Sequence, residues 1–239
     1  MIVGNFVQNV VKKSNSKRII KIIQNKMKNY TKLVNIIDKS GSMDDIIDSA
    51  ISGFNEFLHD QKKVEGEALV TTVLFSTLYQ TLYEDLDIQN CQYLDKNNYV
   101  PNGGTSLYDA IGKTINYEID KLGNLPVDER PEKTLCVILT DGYENSSKSF
   151  TKDSIKKLIG EMKEDFKWEF IFLAANEDAS TNAESMGISK GNSYAFTNDS
   201  DGLKDAYKGV SFASTSYRMS KSVKLDNLMD EYKKDEESK

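Results

Sequence analysis

Histidine, cysteine and proline are scarce in this 239-residue sequence, which contains one, two and three of them, respectively. Two cysteines cannot build a disulfide framework, and they are too few for a structural zinc site made of thiolates. The single histidine, His59, leaves little room for imidazole chemistry such as a Ser-His-Asp triad. Chemistry in this chain therefore has to rely on oxygen-containing side chains.

Long apolar runs are also lacking, and the longest apolar stretches, such as residues 135–139, have the length of a β-strand. A bilayer-spanning helix needs about 20 apolar residues, so none is predicted. The lysines near the amino terminus follow the first apolar run instead of preceding it, which argues against a secretory signal. With so few cysteines, these features predict a cytoplasmic protein.

Charge is distributed unevenly along the chain. The net charge is −6, but residues 1–30 contain seven of the 31 basic residues and no acidic residue. The other 209 residues carry 24 basic and 37 acidic side chains, a net charge of −13. Like-charge repulsion opposes the binding of nucleic acid to such a body, so we expect no nucleic-acid partner for it.

The first 30 residues combine positive charge with apolar residues at helical spacing, which predicts a basic amphipathic extension. Contact with a membrane surface and docking on an acidic partner both fit this pattern. Packing on the acidic body of the same chain, or a mobile extension, is favoured over both, because terminal extensions are commonly of that kind. At the other end, residues 220–239 are rich in both charges and predict a helical overhang that frays into a charged tail. The domain is therefore expected to span residues 31–219.

Strand-like and helix-like patterns alternate within that domain. Strands are predicted over residues 32–37, 69–75, 78–82, 134–139, 168–174 and 193–196, with amphipathic helices between most of them. The run at 135–139 is entirely apolar, which is typical of a strand buried on both faces of a parallel sheet. The tight connection at Ser76-Thr77 allows only an antiparallel pair. We therefore predict a Rossmann-like α/β fold of three layers, with a mostly parallel six-stranded sheet, one antiparallel edge strand and helices on both faces.

Three segments bring oxygen-containing side chains to the carboxyl ends of the predicted strands. The first is Asp38-Lys39-Ser40-Gly41-Ser42, the second is Thr105 after two glycines, and the third is Asp141 in Thr140-Asp141-Gly142. Ligands of such folds bind at this edge, where the strand order reverses. Two carboxylates and three hydroxyls suit a hard divalent cation, above all Mg²⁺. Asp38, Ser40, Ser42, Thr105 and Asp141 are therefore the candidate metal ligands.

The order and spacing of these residues resemble the metal-ion-dependent adhesion site of von Willebrand factor A domains. The resemblance covers about residues 31–219, and Ile36 to Met43 and Asn102 to Thr105 are most similar to single-domain microbial intracellular members. It implies the six-stranded sheet predicted above and a bound Mg²⁺, Mn²⁺ or Ca²⁺ that a partner's carboxylate completes. The expected rim for that partner consists of Lys39, Met43, Asp44, Tyr143, Glu144 and Asn145.

The leading functional hypothesis is therefore a protein-binding module and not an enzyme. The resemblance implies an adaptor for a protein that presents an acidic side chain, acting in an intracellular complex, with an AAA-type ATPase as a separate chain. One alternative is a structural scaffold whose contacts are made by the basic extension. Another is a metal-dependent hydrolase, which would need a general base that the sequence does not obviously provide.

Overall fold

A six-stranded β-sheet forms the centre of the protein, in a computed structural model that describes residues 30–175, 178–220 and 227–238. The strands are β1 (Thr31–Asp38), β2 (Ala68–Phe75), β3 (Tyr79–Asp87), β4 (Lys133–Thr140), β5 (Glu169–Ala174) and β6 (Ser193–Ala195). They lie in the order β3-β2-β1-β4-β5-β6, and only the β2–β3 pair is antiparallel. The predicted mostly parallel sheet with one antiparallel edge strand is confirmed.

Helices cover both faces of the sheet. They are α1 (Ile47–Lys63), α2 (Leu107–Asn124), α3 (Lys152–Asp165), α4 (Ala179–Ser185), α5 (Ser200–Met219) and α6 (Leu228–Glu237). One apolar core joins the sheet to α1, α5 and α6, and a second joins it to α2, α3 and α4. The three-layer α/β architecture is therefore also confirmed. No helix in the described ranges is long and apolar enough to cross a membrane.

The central and edge strands differ in burial, which explains how well each was predicted. All eight residues of β4 are buried, as its continuous apolar run predicts. Strand β3 is half-exposed and extends to Asp87, five residues beyond its predicted end. Its polar residues face solvent at the sheet edge, so hydrophobicity alone marks only the first part of the strand.

Close packing between α1 and α5 requires a glycine. A Cβ atom at Gly53 would lie 2.3 Å from the ring of Tyr207. The same ring packs edge-on against Phe54, with 6.5 Å between the ring centroids. These contacts fix α5 against α1 on one face of the sheet.

The segment predicted to be a charged tail is packed on the domain in its described part. In α6, Leu228 and Met229 are fully buried, and Tyr232 is 4% exposed. The hydroxyl of Tyr232 donates to Oδ1 of Asp205 at 2.7 Å. The expectation of a solvated tail is therefore wrong for α6, because its three apolar residues lie on one helical face and cover α5. The predictions for residues 1–29 lie outside the described residues.

Candidate metal centre

Asp38 ends β1 beside β4, at the point where the strand order reverses. Its side chain is fully buried. One carboxylate oxygen accepts the backbone N–H of Ser40 at 2.6 Å, and the other accepts the hydroxyl of Thr140 at 2.6 Å. Both carboxylate oxygens of Asp38 are thus oriented before any ligand binds.

A chain of hydroxyl contacts connects the first and third candidate segments. The Oγ atoms of Ser40 and Ser42 are 3.2 Å apart, and Ser42 Oγ donates to Oδ1 of Asp141 at 2.8 Å. Ser42 is exposed, whereas Asp141 is 8% exposed. The structure therefore brings two segments about 100 residues apart into one polar cluster that is open to solvent at Ser42.

Thr105, from the second segment, lies beside the same cluster. A Cβ atom at Gly142 would lie 3.4 Å from Thr105 Oγ1 and 3.7 Å from Ser42 Oγ. Both hydroxyls thus border the space above Gly142, which a larger residue would fill. The backbone N–H of Thr105 donates to Asn145 Oδ1 at 2.9 Å, which fixes the residue without using its hydroxyl.

Backbone contacts hold the loop that carries the two serines. The N–H of Gly41 donates to the carbonyl of Gly103 at 3.0 Å, and the N–H of Lys39 donates to the carbonyl of Phe75 at 2.6 Å. Gly103 has a φ of +71°, a left-handed conformation that favours glycine. The turn at Gly103, whose carbonyl holds the first segment through Gly41, therefore favours a glycine.

The electrostatic environment of the cluster is acidic and uncompensated. Burial raises the pKa of Asp38 to about 6, although hydrogen bonds from Thr140 and Ser40 oppose the shift. Burial also raises the pKa of Asp141. In the described part of the chain, neither carboxylate forms an ion pair with a lysine, arginine or histidine. The cluster thus favours the approach of a cation.

The donor set fits a hard divalent cation. Oδ2 of Asp141 is buried and has no hydrogen-bond partner in the described ranges, so it is an acceptor without a donor. No three His, Cys, Asp or Glu side chains among the described residues form a cluster that could hold a metal ion. The cluster instead offers two carboxylates and three hydroxyls, a combination that suits Mg²⁺ or Mn²⁺ better than a soft metal.

The structure changes the rim that the sequence predicted. Met43 is fully buried in the core, and Lys39 is 7% exposed, with its ammonium group donating to Gln80. Neither can line an exposed rim, because the turn directs both side chains into the protein. Asp44 and Tyr143 are exposed, and Tyr143 keeps 60% of its surface accessible.

Two other predicted rim residues mainly hold the loop after β4. Glu144 accepts the backbone N–H groups of Tyr108 at 3.0 Å and Ser147 at 2.6 Å. Asn145 is exposed, yet its Oδ1 is used by Thr105 N–H and by the hydroxyl of Ser146. Both side chains therefore position the third segment against the start of α2.

Three residues position the cluster and its loops, and the sequence does not predict this role for them. Thr140 donates to Asp38, and the hydroxyl of the fully buried Tyr99 donates to the carbonyl of Asp38 at 2.6 Å. Asp109 accepts the backbone N–H groups of residues 148–150, at 2.9 to 3.2 Å. Thr140 adjoins Asp141 and was the easiest to find, whereas nothing near Tyr99 in the sequence indicates its role.

The fold and site together define an α/β domain with an acidic cluster at the carboxyl ends of its parallel strands. The family model for the von Willebrand factor type A domain matches residues 32–208. The chain belongs to the von Willebrand factor type A domain family. Members of this family are metal-dependent protein-interaction modules and are generally not enzymes. No curated protein matches the sequence.

Solved structures share the fold at low sequence identity. A von Willebrand factor type A protein from Catenulispora acidiphila has a TM-score of 0.54 and 15% identity, over 79% of this chain and 43% of that chain. Proximal thread matrix protein 1 of the mussel byssus, with a zinc-occupied MIDAS motif, has a TM-score of 0.53 and 13% identity, over 79% and 46%. Manganese-loaded TRAP protein from Plasmodium vivax has a TM-score of 0.50 and 15% identity, over 74% and 72%.

This chain spans less than half the length of the bacterial and mussel proteins. What they share with this chain is therefore the fold of one domain. Structures with this fold carry zinc or manganese, and the comparisons do not single out one ion for this protein.

Proposed function

We propose that Asp38, Ser40, Ser42, Thr105 and Asp141 form an intact metal-ion-dependent adhesion site for Mg²⁺ or Mn²⁺, with Ca²⁺ as a third candidate. The observation that carries this proposal is the buried Oδ2 of Asp141, which lacks a hydrogen-bond partner beside a second buried carboxylate. An acceptor in that position is stabilised by a cation. A bound cation would supply a coordination position that a carboxylate from a partner can complete.

The chain's own residues prepare this site in three ways. Thr140 and the N–H of Ser40 orient Asp38, and Ser42 orients Asp141. The exposed Ser42 leaves the cluster accessible from one side. Asp44 and Tyr143 are then the exposed neighbours that a partner protein would contact. We assign the site no catalytic role.

The biological role that we propose is an adaptor in an intracellular complex of the cytoplasm. Its ligand would be a protein that presents an acidic side chain, and the motor of the complex would be an AAA-type ATPase. The resemblance of Ile36 to Met43 and of Asn102 to Thr105 to single-domain microbial members supports this role.

Calorimetric titration with Mg²⁺ and Mn²⁺ tests the metal site. The native protein should bind one equivalent, and Asp141→Ala should lose the heat of binding. Asp44→Ala is the matched control, because Asp44 is an exposed carboxylate on the same loop that makes no hydrogen bond to Asp38 or Asp141. Equal heats for the native protein and Asp141→Ala would refute the assignment.

A pull-down with mass spectrometry tests the partner. The native protein should capture its partner with Mg²⁺ and release it with EDTA, and Asp38→Ala should capture nothing. If Asp38→Ala still captures the partner and removal of residues 1–30 abolishes capture, the scaffold alternative is correct.

A further inference from the structure

A second acidic region lies at the opposite edge of the sheet, in a cavity of about 350 Å³. The cavity is bordered by the starts of β1 and β2, the end of β3 and the last turns of α2. It is lined by five carboxylates and two lysines, namely Glu67, Asp85, Asp87, Glu118, Glu129, Lys32 and Lys121. Carboxylates therefore outnumber ammonium groups in this space.

Glu118 marks where a further hydrogen-bond donor would fit. Its side chain is 1% exposed, and one of its oxygens pairs with the ammonium group of Lys32. The Thr71 side chain also donates to this carboxylate, but no described group lies within hydrogen-bond distance of the other oxygen, Oε1, which is buried. A buried carboxylate oxygen in this state is stabilised by a donor that enters the cavity.

Tyr30 lines the cavity beside its carboxylates. Burial, followed by the negative charges of Asp85, Glu118 and Glu129, raises the pKa of Tyr30 to about 12. The lining of the cavity also includes the apolar residues Leu69, Leu122 and Leu125. An apolar wall beside carboxylates suits a lysine side chain, whose alkyl stem is apolar and whose end is cationic.

The position of Tyr30 indicates which part of the chain could supply such a lysine. Tyr30 lines the cavity and directly follows the basic segment, in which residues 1–29 carry seven positive charges and no negative one. Lys28 precedes Tyr30 by two residues and Lys26 by four, so even an extended chain keeps Lys26 within about 14 Å of Tyr30. This connection gives the lysines a high effective concentration at the cavity.

A neighbouring cavity of about 400 Å³ shows why the acidic one is favoured. It is also lined by Tyr30, but its two carboxylates, Glu65 and Glu132, are balanced by Lys133 and Arg218. Lys133 donates to carbonyls at the end of α5, and Arg218 donates to carbonyls in the last turn of α1 and just after it. The second cavity therefore offers no excess of negative charge.

We propose that the acidic cavity is a binding site for ammonium groups of this chain's own basic segment, with Lys26 or Lys28 as the occupant. The segment is then anchored at the amino ends of the parallel strands, at the edge opposite the candidate metal site. This proposal does not depend on metal binding, since no candidate metal ligand lines the cavity.

Carbodiimide crosslinking of the full-length protein tests the proposal, because it joins only amines and carboxylates that are in contact. An equal mixture of ¹⁴N- and ¹⁵N-labelled protein distinguishes crosslinks within a molecule from crosslinks between molecules. We expect crosslinks within one molecule from Lys26 or Lys28 to Glu129 or another carboxylate of the cavity. Crosslinks only to Glu65 or Glu132, only between molecules, or to no cavity carboxylate would overturn the proposal.

Thermal unfolding of two full-length double variants provides a second test. Removing Lys26 and Lys28 with Lys26→Gln/Lys28→Gln should lower the Tm by about 2 °C at low salt. The control Lys12→Gln/Lys13→Gln removes the same charge farther from Tyr30 and should leave the Tm unchanged. The difference should disappear at high salt, because salt screens the interaction. Equal Tm values for the two variants would show that the segment does not occupy the cavity. Spermidine, a soluble polyamine, should stabilise Lys26→Gln/Lys28→Gln more than the native protein, and equal stabilisation of the two would show the same.

Discussion

Buried carboxylates have different partners at the two ends of the parallel strands, which we call the carboxyl edge and the amino edge of the sheet. At the carboxyl edge, Asp38 and Asp141 are held by hydroxyl and amide donors, and no described basic side chain pairs with them. At the amino edge, Asp85 and Glu118 are close to the ammonium groups of Lys32 and Lys121. The carboxylates of the first edge lack a cationic partner among the described residues, whereas those of the second edge already contact two ammonium groups.

This difference separates binding from stability. Hydroxyl donors orient a carboxylate but do not neutralise its charge, so a carboxylate held in this way can still attract a cation. Lysine partners compensate the charge and stabilise the fold, and at the amino edge only the excess carboxylates remain to attract another cation. Four substitutions compare the two edges.

The largest expected effect is at the amino edge, with Lys32→Met. Lys32 is 5% exposed and contacts both Asp85 and Glu118. Its removal leaves the buried Glu118 without its ammonium partner, whereas Asp85 keeps Lys121. The free energy of unfolding, measured with urea, should fall by about 3–5 kcal/mol. Lys121→Met is the control, because Lys121 is 31% exposed. Its free energy of unfolding should fall by less than about 1 kcal/mol. Equal losses would mean that burial of the ion pair does not matter.

Gly104→Ala tests whether the carboxyl edge depends on close packing instead of ion pairs. A Cβ atom at this position would lie 2.3 Å from Ser146 Oγ and 2.8 Å from Asn145 Oδ1. It would displace the acceptor of the Thr105 N–H group, and stability should fall by about 1–3 kcal/mol. Gly123→Ala, where a Cβ atom meets nothing within 4 Å, should be neutral or stabilising. A stable Gly104→Ala protein with unchanged metal affinity would contradict this account.

Asp38→Asn should have opposite effects with and without metal. In EDTA the variant should be more stable than the native protein by about 1 kcal/mol, because a buried and uncompensated charge is removed. In Mg²⁺ the native protein should gain stability by mass action, and the variant should not. Thermal unfolding in the two buffers measures both effects. A variant that is less stable in EDTA would show that the folded state already compensates the charge of Asp38.

The smallest expected effect is that of Asp85→Asn, and it depends on pH. Burial favours a higher pKa for Asp85, but hydrogen bonds and charges from Lys121 and Lys32 hold it below its usual value. A lowered pKa in the folded state gives stability that is complete above the unfolded value of about 4 and is lost as the pH falls through the folded value. The variant should therefore lose about 1 kcal/mol at pH 7, a figure reduced by the 29% exposure of Asp85, and the loss should vanish in acid. A difference that persists at pH 2 would point to packing instead of charge.

Much of the fold could be predicted because strong apolar patterns coincide with buried elements. The buried strand β4 and the amphipathic face of α2 were predicted from their patterns. Edge strand β3 extends beyond its predicted end, and α6 is packed on the domain where a charged tail is predicted, because charged residues dominate both segments. In each case, the apolar residues of one face pack on the domain, but they are too few to dominate the composition of the segment.

The alternation of strands and helices and the five candidate metal ligands could be predicted, because both depend on residue type and spacing along the chain. Which carboxylates lie beside an ammonium group depends on the folded arrangement. Lys32 lies six residues from Asp38 in the sequence, yet it pairs with Asp85 and Glu118 at the other edge of the sheet. The physical reason is that β1 carries Asp38 to one edge and Lys32 to the other, and the Coulomb energy depends on distance in space and on burial, which spacing along the chain does not specify.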